Sequence, residues 1–185
     1  GRRGPAESVT AASEDSSGLQ VGAHIWISCA ADVWREGVVT GLINDHRGCF
    51  SAETKDTGGN VEQISVPRRP NATGGPPTFH LRNDELQSAA AASRADDLGA
   101  LAMLHEPAVL QALQARFKEG LIYTFAGPML LAVNPFQQMR DLYAYEQLRR
   151  FAELLPEEPA PAPHVYGIGR AAYEGVRRAG KSQTV

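Results

Sequence analysis

The sequence predicts a small all-β barrel followed by the beginning of a mixed α/β domain. Four or five short runs rich in β-branched residues fill residues 21–66 and end at breakers such as Gly58-Gly59-Asn60. Beyond a proline-rich stretch, helical periodicity alternates with short apolar runs, as in α/β folds. The predicted organisation is a disordered tail at 1–19, a barrel at 20–67, a linker at 68–94 and an α/β region at 95–185.

The barrel strands are predicted from alternation and turn signals. Val21, Ala23, Ile25 and Ile27 alternate with more polar neighbours, as in a strand with one buried face. Further strands are predicted over Val33–Ile43, Arg47–Thr54 and Val61–Val66.

Composition predicts the segments on either side of the barrel. Gly1 to Gly18 are rich in Ser, Ala, Glu and Gly and lack hydrophobic periodicity, which predicts disorder. Pro67 to Pro77 contain four prolines and two glycines, which block both helix and central strand and therefore predict a linker. The alanine-rich stretch Asp84 to Ala95 can form an exposed helix with almost no large apolar face.

The second region begins with a predicted helix that opens at Glu106-Pro107 and ends at Gly120. Its apolar face is predicted to consist of Val109, Leu110, Leu113 and Phe117. Two strands are expected next, Leu121–Phe125 and Met129–Val133; the second lacks alternation, which predicts burial on both faces. The remaining predicted helices are Tyr145–Leu154 and Val165–Arg178, separated by prolines.

Charge and residue usage narrow the class of protein. A net charge of −3 and a pI near 6.0 do not suggest a nucleic-acid-binding protein. No apolar run approaches the roughly 18 residues of a membrane span. Two cysteines indicate reduced thiols rather than a disulfide framework. The five histidines are scattered, without metal-ligand spacing, and no catalytic triad can be proposed.

Two glycine-containing segments match the sequence patterns of nucleotide-binding motifs. Gly175 to Ser182, which includes Lys181, fits the phosphate-loop pattern GxxxxGK[ST], and Gly167 to Ala172 fits the dinucleotide pattern GxGxx[GA]. Both patterns require a buried strand before the first glycine, and neither has one. We therefore interpret both as parts of one helix, with Gly180 as the C-terminal cap.

Asn134-Pro135-Phe136 forms a stronger candidate site, because it follows a buried apolar strand. Ligands of α/β sheets collect at the carboxyl ends of strands, and an asparagine amide can pair with the polar edge of adenine. Tyr143 offers a ring that can pack against a base. The alternative is an Asn-Pro turn that only closes the strand, and the residues alone leave both interpretations open.

Four ordered motifs resemble the myosin heavy chain. Leu101 to Leu110 resembles the motor segment YLHEPAVL, Ile122 to Gly127 resembles IYTYSG, and Leu131 to Phe136 contains AVNPF. Pro163 to Tyr173 is similar to PHIFAIADAAY. His24 to Gly37 resembles the SH3-like barrel that precedes many myosin motors, with spacing most similar to plant and algal unconventional myosins.

This resemblance implies an N-terminal fragment of an ATP-driven motor that moves along actin. The fold implied is an SH3-like barrel followed by the truncated start of a P-loop-type motor domain. Asn134, Pro135, Phe136 and Tyr143 would line the adenine end of a site for ATP with Mg2+. The phosphate loop would begin about four residues past Val185. The chain would thus contain no catalytic or metal-binding residue and would be inactive alone.

The implied partners are actin filaments and calmodulin-like light chains, with no nucleic acid and no membrane span. The implied location is cytoplasmic and cytoskeleton-associated. The alternative function is a non-enzymatic SH3-like protein-binding module with an α/β extension. An exposed aromatic groove formed by Trp26 or Trp34 would favour that alternative.

Overall fold

The computed structural model forms two compact units, the first ending at Leu81 and the second beginning at Arg82. It describes residues 19–29, 34–42, 48–56, 58–68, 79–154, 158, 161–180 and 182–183. The tail expected to be disordered lies outside the described residues up to position 18, and so do residues 69–78 of the expected linker.

The first unit is a five-stranded antiparallel sheet with the order β4-β3-β2-β1-β5. Its strands are β1 His24–Ser28, β2 Trp34–Gly41, β3 Cys49–Lys55, β4 Val61–Pro67 and β5 Phe79–Leu81. Sequential strands pair as hairpins, and β5 pairs with the free edge of β1. The prediction of four or five short strands is confirmed.

Two parts of this sheet unit lie where the sequence predicts a tail and a linker. Leu19, assigned to the tail, is buried in the core of the sheet. β5, assigned to the linker, pairs Phe79 with Ile27, and the Phe79 ring lies edge-on to that of Phe50 at 4.9 Å. Both assignments are wrong because these apolar side chains reach a core whose other members lie far away in sequence.

Gly37 shows how closely the strands pack in this sheet. A Cβ at this position would lie 2.5 Å from Ile27 Cδ1 and 3.2 Å from the carbonyl oxygen of Glu53. The glycine therefore leaves room for the buried Ile27 side chain, which is part of the core.

In its described residues, the second unit combines four α-helices with a two-stranded ribbon. The elements are α1 Ala89–Ser93, α2 Glu106–Lys118, β6 Tyr123–Ala126, β7 Met129–Ala132, α3 Tyr145–Ala152 and α4 Val165–Ala179. Three short 3-10 helices lie at Asp84–Leu86, Leu98–Ala100 and Asp141–Tyr143. The single alanine-rich helix expected over Asp84–Ala95 is thus a 3-10 turn followed by the short α1.

Helix α2 begins and ends as predicted but buries a different face. Its buried residues are Pro107, Ala108, Ala112, Ala115 and Arg116. Leu110 and Phe117, expected on the buried face, are exposed. The prediction is wrong for these two residues because the alanine stripe packs in the cluster with Leu86, Ala92 and Leu98. Val109, from the predicted face, is partly buried against the same cluster.

Arg116 is the polar member of that buried face, with only 3% of its surface exposed. Its guanidinium donates from Nε to Thr124 Oγ1 at 3.0 Å, from Nη1 to the Ser93 carbonyl at 2.8 Å and from Nη2 to the Tyr123 carbonyl at 2.9 Å. These bonds join α2 to the end of α1 and to β6. Burial lowers the pKa of Arg116, and nearby Asp96 opposes that effect.

The ribbon pairs Tyr123 with Ala132 and Ala126 with Met129. Along its other edge, β6 meets Asp97 in a parallel bridge, in which the Phe125 N–H donates to the Asp96 carbonyl at 2.7 Å. Within the described ranges, β7 pairs with β6 alone. The expectation that the β7 run is buried on both faces is wrong for this chain, since Met129 is 62% exposed.

Candidate adenine-binding site

The turn at residues 134–136 follows directly after β7 and is exposed. Asn134 Oδ1 accepts a hydrogen bond from the backbone N–H of Phe136 at 2.9 Å. This bond identifies the side-chain oxygen, so the NH2 group of Asn134 is the group that can donate to a ligand. Phe136 has a φ of 51° and is 92% exposed. A phenylalanine in this conformation is unusual and shows that the backbone of the turn is constrained.

Tyr143 ends the 3-10 helix Asp141–Tyr143 and is held through both its hydroxyl and its backbone. Its hydroxyl lies 2.9 Å from that of Tyr123 in β6, and either oxygen can be the donor. Its carbonyl accepts a hydrogen bond from the Tyr166 hydroxyl in α4 at 3.2 Å. Because Tyr143 is still partly exposed, one side of the residue is available to a ligand while the other is anchored.

His164 contacts the backbone of the 3-10 helix that carries Tyr143 and is only 5% exposed. Its Nδ1 accepts from the Tyr166 N–H at 3.0 Å, which caps the N-terminus of α4. Its Nε2 lies 3.0 Å from the carbonyl oxygen of Leu142, the residue before Tyr143. A neutral ring with the proton on Nε2 satisfies both contacts. Burial lowers the pKa of His164, while the bond to Leu142 acts in the opposite direction.

The strand ribbon supports both parts of the candidate site. Tyr123, which bonds to Tyr143, pairs across the ribbon with Ala132, two residues before Asn134. The Val133 N–H donates to the Ile122 carbonyl at 3.0 Å and extends this pairing toward the turn. Burial, and then the bond to Tyr143, raises the pKa of Tyr123 to about 12, so its hydroxyl keeps its proton at neutral pH.

The structure therefore distributes the four candidate residues between two places. Asn134, Pro135 and Phe136 form the exposed turn after β7. Tyr143 joins a ring cluster whose other members are Tyr123, Phe151, His164 and Tyr166. Sequence reasoning missed His164, which it counted among scattered histidines. The signal was its place directly before a helix, where an acceptor side chain caps the first turn.

The first glycine motif and residues 175–179 of the second lie in α4, as the sequence predicts. Gly167 to Ala172 is helical, and a Cβ on Gly167 would lie 3.4 Å from the Phe151 ring. Gly175 is helical too, and Gly180 ends the helix with a left-handed φ of 61°, donating to the Val176 carbonyl at 2.8 Å. The interpretation of Gly180 as a helix cap is confirmed; Lys181 lies outside the described residues.

The described ranges lack two other kinds of feature, a metal-binding cluster and a membrane-spanning helix. They contain no group of three or more His, Cys, Asp or Glu residues that could hold a metal ion. None of their helices is both long enough and apolar enough to span a membrane.

Comparison with known proteins identifies the family. Residues 95–185 match the family model described as Myosin head (motor domain). Myosin-5 of Arabidopsis thaliana is 30% identical over 167 residues, which cover 89% of this chain and 9% of that protein. Myosin-4 of Saccharomyces cerevisiae is 32% identical over 168 residues, or 90% of this chain and 11% of that protein. Myosin-52 of Schizosaccharomyces pombe is 42% identical over 93 residues, which cover 50% of this chain and 6% of that protein.

These matches define the class as proteins that contain a Myosin head (motor domain). The chain belongs to the myosin family, and residues 95–185 lie within its motor domain. The resemblance seen in the sequence is thereby confirmed. The chain spans 6% to 11% of the length of the three relatives named above.

Proposed function

We propose that this chain is part of an ATP-driven motor that moves along actin filaments. We further propose that Asn134, Pro135, Phe136 and Tyr143 bind the adenine end of ATP. Mg2+ would accompany the nucleotide, calmodulin-like light chains would bind elsewhere on the complete motor, and the motor would work in the cytoplasm on the cytoskeleton. By the same proposal the chain alone has no actin-activated ATPase activity, because its own residues supply no phosphate loop or switch.

The observation that carries the adenine site is the constrained exposed turn after β7. Asn134 is committed through its oxygen to the Phe136 N–H, which leaves its NH2 group to donate to a ring nitrogen of a base. Tyr143 is anchored to the neighbouring strand through Tyr123. Its partly exposed ring can pack against a base without first being ordered, which reduces the entropic cost of binding.

The protein-binding alternative loses support from the positions of the tryptophans. Trp26 is only 9% exposed, and Trp34 is half-buried with its ring 5.0 Å from that of His80. The burial of Trp26 leaves Trp34 as the candidate of the two for the exposed aromatic groove that this alternative requires.

The first prediction compares the two candidate motifs in the complete motor, expressed from a full-length transcript. Asn134→Ala should weaken ATP binding by about 1–3 kcal/mol, because it removes both the turn-fixing oxygen and the donor to adenine. Lys181→Ala, the matched control, should change binding by less than about 0.5 kcal/mol, since its glycine motif ends a helix. Titration with a fluorescent ATP analogue measures both variants. The opposite ranking would show that the site lies in the other motif.

The transcript itself provides an independent test of the motor proposal. Ser182 to Val185 resembles the sequence SQSI that opens the strand before the myosin phosphate loop. One or two further apolar residues should be followed by a GxxxxGK[ST] loop that begins about four residues past Val185. A transcript that continues past Val185 without such a loop would contradict the ATPase part of the proposal.

A further inference from the structure

Three hydrogen bonds from other elements hold Tyr143 and the residue before it. Its hydroxyl bonds to Tyr123, its carbonyl bonds to the Tyr166 hydroxyl, and the preceding carbonyl, of Leu142, bonds to His164. These three supporting side chains come from β6, from α4 and from the residue that caps α4. The 3-10 helix that carries Tyr143 is thus fixed from two separate elements.

The supports are themselves fixed. Tyr123 is buried in β6, and its carbonyl accepts from the Arg116 guanidinium at 2.9 Å. His164 is buried, with its ring stacked on Phe151 at a centroid distance of 5.1 Å. The bond from Arg116 fixes the backbone of Tyr123, while burial and the edge contact with the His164 ring at 5.2 Å restrict rotation of the Tyr123 side chain. The stacked Phe151 ring restricts His164 in the same way.

We propose that Tyr123 and His164 are positioning residues that hold Tyr143 in the orientation needed to contact the adenine base. This inference rests on the proposed function, because it requires Tyr143 to contact the nucleotide. Tyr123 and His164 do not touch the nucleotide; they act through the hydroxyl of Tyr143 and through the backbone that carries it. Removing either support leaves the Tyr143 ring present but less ordered, so that the base must order it upon binding.

The structural step is tested on the chain itself. In NMR spectra, Tyr123→Phe should shift the ring signals of Tyr143, because it removes their hydroxyl–hydroxyl bond. Tyr145→Phe is the matched control: it deletes the same group from an exposed residue at the start of α3. Unchanged Tyr143 signals in Tyr123→Phe would overturn the proposal.

The functional step compares two ligands in the complete motor. Tyr123→Phe should raise the Kd for ATP about 3–10-fold, the range expected for one lost hydrogen bond. The Kd for tripolyphosphate, which has no base, and kcat at saturating ATP should stay within about twofold. Equal weakening of both ligands would indicate general damage to the fold and would overturn a positioning role.

A double-mutant cycle distinguishes action through Tyr143 from independent action. In a Tyr143→Phe background, Tyr123→Phe should add less than about 1.5-fold to the Kd for ATP, because the bond is already absent. Additive effects of the two substitutions would overturn the proposal.

His164→Asn provides a second variant, in case Tyr123→Phe disturbs folding. Asparagine can still cap α4, but its shorter side chain does not reach the Leu142 carbonyl. We expect the same selective loss of ATP affinity, with tripolyphosphate binding retained. Binding of ATP at the wild-type level would contradict the role of His164.

Failure of the inference and failure of the proposed function give different results. If Asn134→Ala and Tyr143→Ala leave the ratio of ATP to tripolyphosphate affinity unchanged, the adenine site is wrong, and the positioning role falls with it. If those two variants lower the ratio but Tyr123→Phe and His164→Asn do not, only the positioning role is wrong.

Discussion

The two units of this chain differ in how many of their large apolar side chains are buried. In the first unit Ile25, Val39 and Phe50 are at most 1% exposed and belong to one continuous core. The core of the second unit consists mainly of alanines and leucines. Its larger side chains are often exposed, namely Leu104, Leu110, Phe117, Leu121, Met129 and Val176. The first unit thus has a core of large apolar side chains, whereas the second combines a core of small residues with a few buried polar groups and the ring cluster around His164. We therefore expect the first unit to be the more stable of the two.

The largest effect expected from this difference is the loss of a core phenylalanine. Phe50→Ala should lower the free energy of unfolding of the first unit by about 3–5 kcal/mol, because it leaves a cavity beneath the sheet. Phe117→Ala, on the exposed side of α2, should cost less than about 1 kcal/mol. Urea unfolding, followed by tryptophan fluorescence for the first unit and by circular dichroism for the helices, measures both. Similar costs at the two positions would remove the distinction between the units.

Hydrogen exchange should show the same contrast along the backbone. Ala52 lies in β3 between two paired strands, whereas Leu131 lies in β7, which pairs with β6 alone in the described part of the chain. Hydrogen-bonded backbone amides of β3 near Ala52 should exchange about 100-fold more slowly than hydrogen-bonded amides of β7 near Leu131. Strong cooperative protection over residues 130–133 would contradict the description of the second unit as the less stable one.

The smallest effect is a pH dependence confined to the second unit. His164 has a lowered pKa when folded, so the unfolded chain, with a histidine pKa near 6.5, binds the proton first. The stability that neutral His164 supplies is therefore complete above about pH 6.5 and is lost as the pH falls below that value. The free energy of unfolding of the second unit should decrease between pH 7.5 and 5.5.

His164→Gln should remove this part of the decrease, because glutamine does not titrate. Both tryptophans lie in the first unit, so the fluorescence transition reports that unit and should not differ between the variant and the wild type at either pH. A pH dependence of the second unit that persists in full in the variant would contradict its assignment to His164.

The strands of the first unit could be predicted because each is long enough to show alternation and ends at a turn signal. β5 could not, since Phe79, His80 and Leu81 are too few to form a pattern and follow a proline-rich stretch. Its strand state depends on pairing with β1, which local sequence does not encode.

Helix α2 illustrates a second limit of sequence reasoning. Its ends follow from Pro107 and Gly120, and both were predicted. Periodicity identifies its large apolar stripe but does not tell whether that stripe or the alanine stripe packs within this chain. The turn at Asn134 could likewise be predicted from its motif. The support of Tyr143 by His164 could not, because it joins residues 22 positions apart through a backbone carbonyl, Leu142 O.

Arg116 has a consequence for the order of folding. Its charge can leave water only when the carbonyls of Ser93 and Tyr123 and the hydroxyl of Thr124 are all in place. A partly assembled state would hold a desolvated cation with too few acceptors, and that state is unfavourable. The segments from α1 to β6 therefore form one cooperative folding unit, in which the Arg116 bonds add to the Asp97–Phe125 bridge and to the shared apolar cluster.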